Sequence, residues 1–181
     1  IQESDISTWT TKKMKEEIYD LYVSSIKDTD ILKSTPVSTY KEILWKVAPE
    51  YEKLRPTLYD ILAHRALDNF LSESTYLTDP AYKYSISDTI VFADNRKFAE
   101  HNFYFNDTLS GKQLGLSLLQ DLTRFHLMDK YPGPLVDLDI KRFKFAKINS
   151  NHIFKDSLYL QSLKTELEKY NWFNYSPHIS A

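Results

Sequence analysis

From Leu58 to Phe70 the apolar residues Leu58, Ile61, Leu62, Ala66 and Phe70 recur every three to four positions. That is the period of a helix burying one face. A start signal precedes the stripe. Pro56 suits a first helical turn because it has no N–H to lose there, and Thr57 with Asp60 resembles a capping pair. The period therefore predicts a helix over the Leu54–Phe70 segment.

The same pattern returns along the chain. Met14, Ile18, Leu21, Tyr22 and Ile26 predict a helix from Ser7 or Thr8 to near Lys27, with Lys12, Lys13, Lys15 and Glu16 outside. Thr39 and Glu42 read as the capping box of a short helix with Tyr40, Ile43, Leu44 and Val47 inward, ended by Pro49. Residues 72–93 are irregular, and Thr89-Ile90-Val91-Phe92 reads as loop because a brief strand there has no partner. Asp94 to Asn102 reads as a short helix presenting Phe98.

Leu114, Leu118, Leu119, Leu122 and Phe125 predict a helix from Ser110 to near Met128. Gly115 within it costs ~1 kcal/mol against alanine, and marks either a close helix approach or nothing. Pro132-Gly133-Pro134 is a break. Val136, Leu138 and Ile140 alternate as in a strand, whereas Val136, Ile140 and Phe143 fit a helix. Helix is the better reading for 135–149, since no other long strand is present to pair with it. The basic run Lys141, Arg142, Lys144 and Lys147 would also suit a helix C-terminus. Asp156 is expected to cap a last helix to near Tyr170, with Tyr159, Leu160, Leu163 and Leu167 inward and Trp172-Phe173 following.

The fold class expected is therefore all-α: stacked antiparallel helices or helical hairpins, tetratricopeptide-like but with degenerate repeats, around an irregular middle segment. With 181 residues the chain is expected to be a single helical domain spanning 1–181. Three glycines argue against a β-rich protein full of tight turns. The chain opens at Ile1, so it is expected to be a piece of a much larger protein.

Composition removes several function classes. A net charge of −2 gives no electrostatic case for nucleic acid or an anionic membrane surface. No cysteine is present, which excludes thiol catalysis, disulfides and zinc ribbons. No apolar run approaches the ~20 residues of a spanning helix. Thirteen tyrosines suit half-buried positions on a core rim, or a ligand platform if they are exposed together.

The sharpest constellation is Asp60-His64-Asp68, three polar residues four apart on one helical face. It is a metal or acid–base candidate, but one helix alone makes a weak metal site. The ladder is read instead as a packing and orientation device. Arg55 and Arg65 read as structural tethers, and His126 as a hydrogen-bonded core residue. His101, His152 and His178 have no partners at ligand spacing. No phosphate loop, nucleophile elbow or H-E-x-x-H motif occurs. No catalytic, cofactor-binding or metal residue is assigned.

The string Leu54-Arg55-Pro56-Thr57-Leu58-Tyr59-Asp60-Ile61-Leu62-Ala63-His64-Arg65-Ala66-Leu67 resembles the N-terminal helical region of large Bacteroidetes-type bacterial alpha-2-macroglobulin-like proteins. Asp5-Ile6-Ser7-Thr8-Trp9 and Thr35-Pro36-Val37 resemble the approach to that motif. Leu118-Leu119-Gln120-Asp121-Leu122, Phe125-His126 and Leu135-Val136-Asp137-Leu138-Asp139-Ile140 resemble its continuation. The resemblance implies a parent exported to the periplasm or outer membrane, often as a lipoprotein, with β-sandwich macroglobulin domains and sometimes a protease-trapping role.

A cysteine-free chain cannot carry the thioester of some relatives, and it has no β-sandwich strand pattern. The expectation is a non-catalytic scaffolding or interaction module whose partners are neighbouring domains of the same polypeptide or another envelope protein. The alternative is an independent peptide- or glycan-binding helical module using exposed aromatics. A small helical enzyme is the third reading, and it requires convergent polar residues of perturbed pKa in a pocket.

Overall fold

Thr57 Oγ1 accepts from the Asp60 backbone N–H at 3.3 Å, while Asp60 Oδ2 accepts from the Thr57 backbone N–H at 2.9 Å. This reciprocal capping box opens the helix Leu58–Leu71, as its sequence predicts. The structure, a computed structural model, describes residues 5–40, 42–44, 49–72, 85–104 and 111–172. Val47, Phe173 and His178 lie outside the described residues.

The described elements are helical: α1 (Thr11–Ser25), α2 (Thr29–Ser34), α3 (Pro49–Leu54), α4 (Leu58–Leu71), α5 (Asn95–Glu100), α6 (Gly111–His126), α7 (Gly133–Asn149) and α8 (Lys155–Lys169). Short 3-10 turns cover Ile6–Thr8, Val37–Tyr40 and Thr89–Phe92. Among the described residues the only β-pairing is two isolated bridges, Pro36 with Thr57 and Ile86 with Ser150. The fold class is all-α, as expected.

The residues group into two compact units. The first holds residues 1–48, 55–83 and 105–118; the second holds 49–54, 84–104 and 119–181. In the first, α1 and α2 pack on α4. Tyr19 and Phe70 meet edge-to-face at 5.3 Å, and Lys33 Nζ sits 4.6 Å over the buried Tyr59 ring. Gly115 is a close-approach position: a Cβ there would lie 3.3 Å from Leu71 Cγ and 3.4 Å from Phe70 Cβ, with Leu71 Cδ2 closer still.

In the second unit α7 is the centre. It packs against α3, α8 and the 89–92 turn. Its ambiguous period follows from burial on nearly every side: Leu135, Val136, Leu138, Phe143, Phe145 and Ala146 are all buried. The short helix expected here is present: α5 starts on Asp94, whose Oδ1 accepts from the Arg96 and Lys97 backbone N–H groups, and Phe98 on it is buried. The α5 C-terminus is closed by side chains of α6. Gln120 Nε2 donates to Phe98 O and His101 O at 2.8 and 2.7 Å, and Arg124 Nε donates to Ala99 O at 2.9 Å.

Several sequence expectations are corrected. α1 starts at Thr11, capped by Thr10, and its buried residue is Tyr19; Met14, Ile18 and Leu21 are exposed. Residues 37–40 form a 3-10 turn and the described residues 42–44 are turn and bend rather than the helix expected from Thr39 and Glu42, with Ile43 78% exposed instead of inward; residues 41 and 45–48 lie outside the described residues. Pro49 begins α3, consistent with its tolerance in a first turn, and residues 45–48 of the helix it was expected to end lie outside the described residues. Pro56 lies ahead of the Thr57 cap, outside the first turn of α4 where it was expected. Pro132-Gly133-Pro134 opens α7, with proline in its first turn.

Asp156 lies within the first turn of α8, whose cap residue is Phe154 and makes no side-chain capping bond. Leu160 and Leu167 face outward, at 53% and 66% exposure.

Candidate functional site

The Asp60-His64-Asp68 ladder separates into different environments. Asp60 is fully buried and occupied by the α4 cap, His64 is buried, and Asp68 is exposed. Among the described residues no three histidine or acidic side chains gather as a metal site. Arg55 is buried at the head of α4, whereas Arg65 is exposed.

His126 is buried beside Leu122, with Nδ1 2.7 Å from Asp129 Oδ2, the core histidine its position predicts. His101 Nε2 lies 2.6 Å from Asp88 Oδ2, a pair distant in sequence and therefore missed by a search at ligand spacing. His152 Nδ1 accepts from the Phe154 backbone N–H.

A dense polar constellation lies where none was predicted, on α7. Arg142 is 1% exposed and three residues after the fully buried Asp139. Its Nε and Nη2 donate to Asp139 Oδ1 at 3.1 and 2.6 Å. Nη1 donates to Val91 O and Ala93 O at 3.1 and 2.8 Å, and Nη2 also reaches Asn95 Oδ1 at 3.2 Å. All five guanidinium N–H groups are thus spent on partners inside the protein. The Phe98 ring lies 4.4 Å from the guanidinium carbon and the Phe143 ring 4.6 Å, flanking the cation. Arg142 therefore ties the 89–92 turn and the start of α5 to α7.

The other oxygen of Asp139 explains the rest of the cluster. Asp139 Oδ2 and Glu166 Oε1 are both buried and neither has a donor from a third group. The two carboxyl groups instead meet each other across α7 and α8. Two acceptors cannot bond without a proton between them. Burial, followed by the neighbouring Asp139, pushes the Glu166 carboxyl up to about 8, against the partial opposition of Lys169 and Arg142. At neutral pH Glu166 carries the proton and donates it to Asp139.

Burial works against the Lys169 charge, but Tyr170 and the two carboxyl groups outweigh it and hold the ammonium above its ordinary range. Burial raises the Tyr170 phenol.

Glu166 also borders a cleft of ≈ 390 Å³ with Phe92, Phe143, Leu158, Ser162 and Lys169. Ser162 Oγ donates to Phe92 O at 2.9 Å and is equally placed for Leu158 O one turn back. A perturbed acid of the kind an enzyme reading requires is thus present at Glu166. Its proton is held by Asp139, and Asp139 is bound to an arginine whose donors are all taken. The chemistry available is retention of a proton between two helices.

One signal in the sequence marks this cluster: Asp139 and Arg142 stand one helical turn apart, with Asp139 between the apolar Leu138 and Ile140. Nothing local marks Glu166. Aromatic rings divide between core and surface. Tyr19, Tyr59, Phe70 and Phe98 are buried, while Tyr104 and Trp172 are 96% and 68% exposed.

Comparison of the chain with protein-family models, with curated proteins and with solved structures finds no match. No helix among the described residues is long and apolar enough to cross a membrane.

Proposed function

We propose that this chain is a non-catalytic helical scaffolding and interaction module of an alpha-2-macroglobulin-like cell-envelope protein, periplasmic or outer-membrane-associated. Its partners are neighbouring domains of the same polypeptide. The resemblance of residues 54–67 supplies the class. The observation that carries the interaction role is the outer side of α8. One side of this helix packs on α7, while Leu160 and Leu167, seven residues apart, present apolar surface outward. Trp172 lies 68% exposed just beyond the helix, its Nε1 donating to Lys169 O. Aromatic and aliphatic groups of this kind are the usual anchors of a partner contact.

The coding sequence on either side of these residues tests the class. An export signal upstream and β-sandwich repeats downstream are expected, and a gene lacking both would sink the proposal. In the chain joined to those domains, the double substitution L160E/L167E is expected to accelerate proteolysis at the junction while leaving helicity unchanged. Unaltered junction proteolysis would remove α8 as the contact surface.

A further inference from the structure

We infer that α8 is a strap held down by a shared proton: it docks on α7 while the Glu166 carboxyl donates to Asp139, and it loosens when that proton leaves. The geometry of α8 makes such control possible. Unlike α7, it has no buried residue. Among the described residues its tertiary attachments include half-buried side chains, the Ser162 bond to Phe92 O, the Lys155 Nζ bond to Ser150 O at 3.2 Å, a solvent-exposed Lys147–Asp156 pair at 3.6 Å, and Lys147 4.8 Å over the Tyr159 ring. An exposed ion pair of that kind contributes little. Beside these attachments, two buried carboxyl oxygens with no other donor lie between the helices, the one contact whose sign a proton can reverse.

The groups facing Glu166 come from every side. Asp139 and Arg142 project from α7, Lys169 ends α8 with Tyr170 as its C-cap, and Asp94 lines the same cleft from the segment before α5. Arg142 is fully engaged and bonds to Asp139 through Oδ1. It leaves Oδ2 to Glu166, so loss of the proton leaves two buried like charges in contact.

The sign follows from linkage. Glu166 binds its proton more tightly with α8 docked than free, about 8 against an ordinary 4.5. Docking is thus strongest in acid. The opening constant rises with pH between those two values, by up to about tenfold per unit, and levels off above the higher one. The strap is an acid-tightened device.

The test uses hydrogen exchange of the full chain from pH 5 to pH 9. Opening constants are obtained by dividing out the chemical exchange rate at each pH. For wild type, amides of α8 are expected to open more readily than those of α7, and at least tenfold more at pH 7.5 than at pH 5. Glu166→Gln donates an N–H to Asp139 at every pH, so its α8 opening should change less than twofold over that interval. Glu168→Gln, at an exposed position, should behave as wild type.

Identical pH responses in wild type and Glu166→Gln would overturn the inference. So would α8 and α7 amides exchanging at one common opening constant. Should Glu166→Gln fail to fold, carbon NMR titration of the wild-type Glu166 carboxyl decides the matter: a midpoint near 8 supports the strap, and one near 4.5 refutes it.

Discussion

Asp139 Oδ1 and Arg142 Nη2 lie 2.6 Å apart on one turn of α7, with both side chains essentially out of contact with solvent. Such a pair is costly to desolvate, and its worth depends on every remaining donor and acceptor being matched. Arg142 meets that condition through Val91 O, Ala93 O and Asn95 Oδ1.

Arg142→Met removes all of these bonds at once and strands a buried carboxylate. A loss of about 3–5 kcal/mol in urea unfolding is expected. Arg142→Lys should recover only a minor part, since an ammonium cannot span the four acceptor residues that the planar fork reaches. Wild-type stability in Arg142→Met would contradict the clamp.

The α4 ladder should separate by position. Thr57→Ala and Asp60→Ala each break the capping box and should cost about 1 kcal/mol, with Thr57→Ser close to wild type. Asp68→Ala, at an exposed site, should cost less than either. Equal losses at Asp60 and Asp68 in thermal melts would restore the ladder as one unit.

Gly115→Val forces a branched side chain against Leu71 and Phe70. The cost of overpacking, about 1–3 kcal/mol, should exceed the helix-propensity gain over glycine. A higher melting temperature for Gly115→Val would show that Leu71 yields freely.

Global stability should carry the signature of Glu166. Its docked pKa is raised, so the stability it contributes is fully present below about 4.5 and is lost as pH rises toward about 8. The slope is at most about 1.4 kcal/mol per pH unit for one proton. Denaturation of wild type minus that of Glu166→Gln isolates this contribution. A difference that is flat across pH 5 to 8 would exclude it.

Helix positions were largely legible because their signals are local. Thr57 and Asp60 cap α4 with atoms three residues apart, and Asp94 caps α5 the same way. Inward faces were less legible. Met14, Ile18 and Leu21 have helical spacing yet are exposed, because Tyr19 alone is the residue of α1 that is buried, in contact with Phe70. Leu160 and Leu167 fit an inward stripe equally well, but α8 packs on α7 through another side. Periodicity reports that a helix is two-sided; which side meets a neighbour depends on where that neighbour lies.

The cluster on α7 marks the same boundary. Helical class, the caps and the absence of thiol chemistry follow from residue identity and short-range spacing, where backbone geometry leaves few choices. That Asp139 and Arg142 can pair follows from their spacing of one helical turn; that they are buried follows from the elements packed on α7. That Asp139 keeps one oxygen for Glu166, and that the pair retains a proton near neutral pH, depends on residues of separate helices meeting away from water. Tertiary packing decided it, because desolvation and the approach of a second carboxyl are properties of an environment and not of either residue alone.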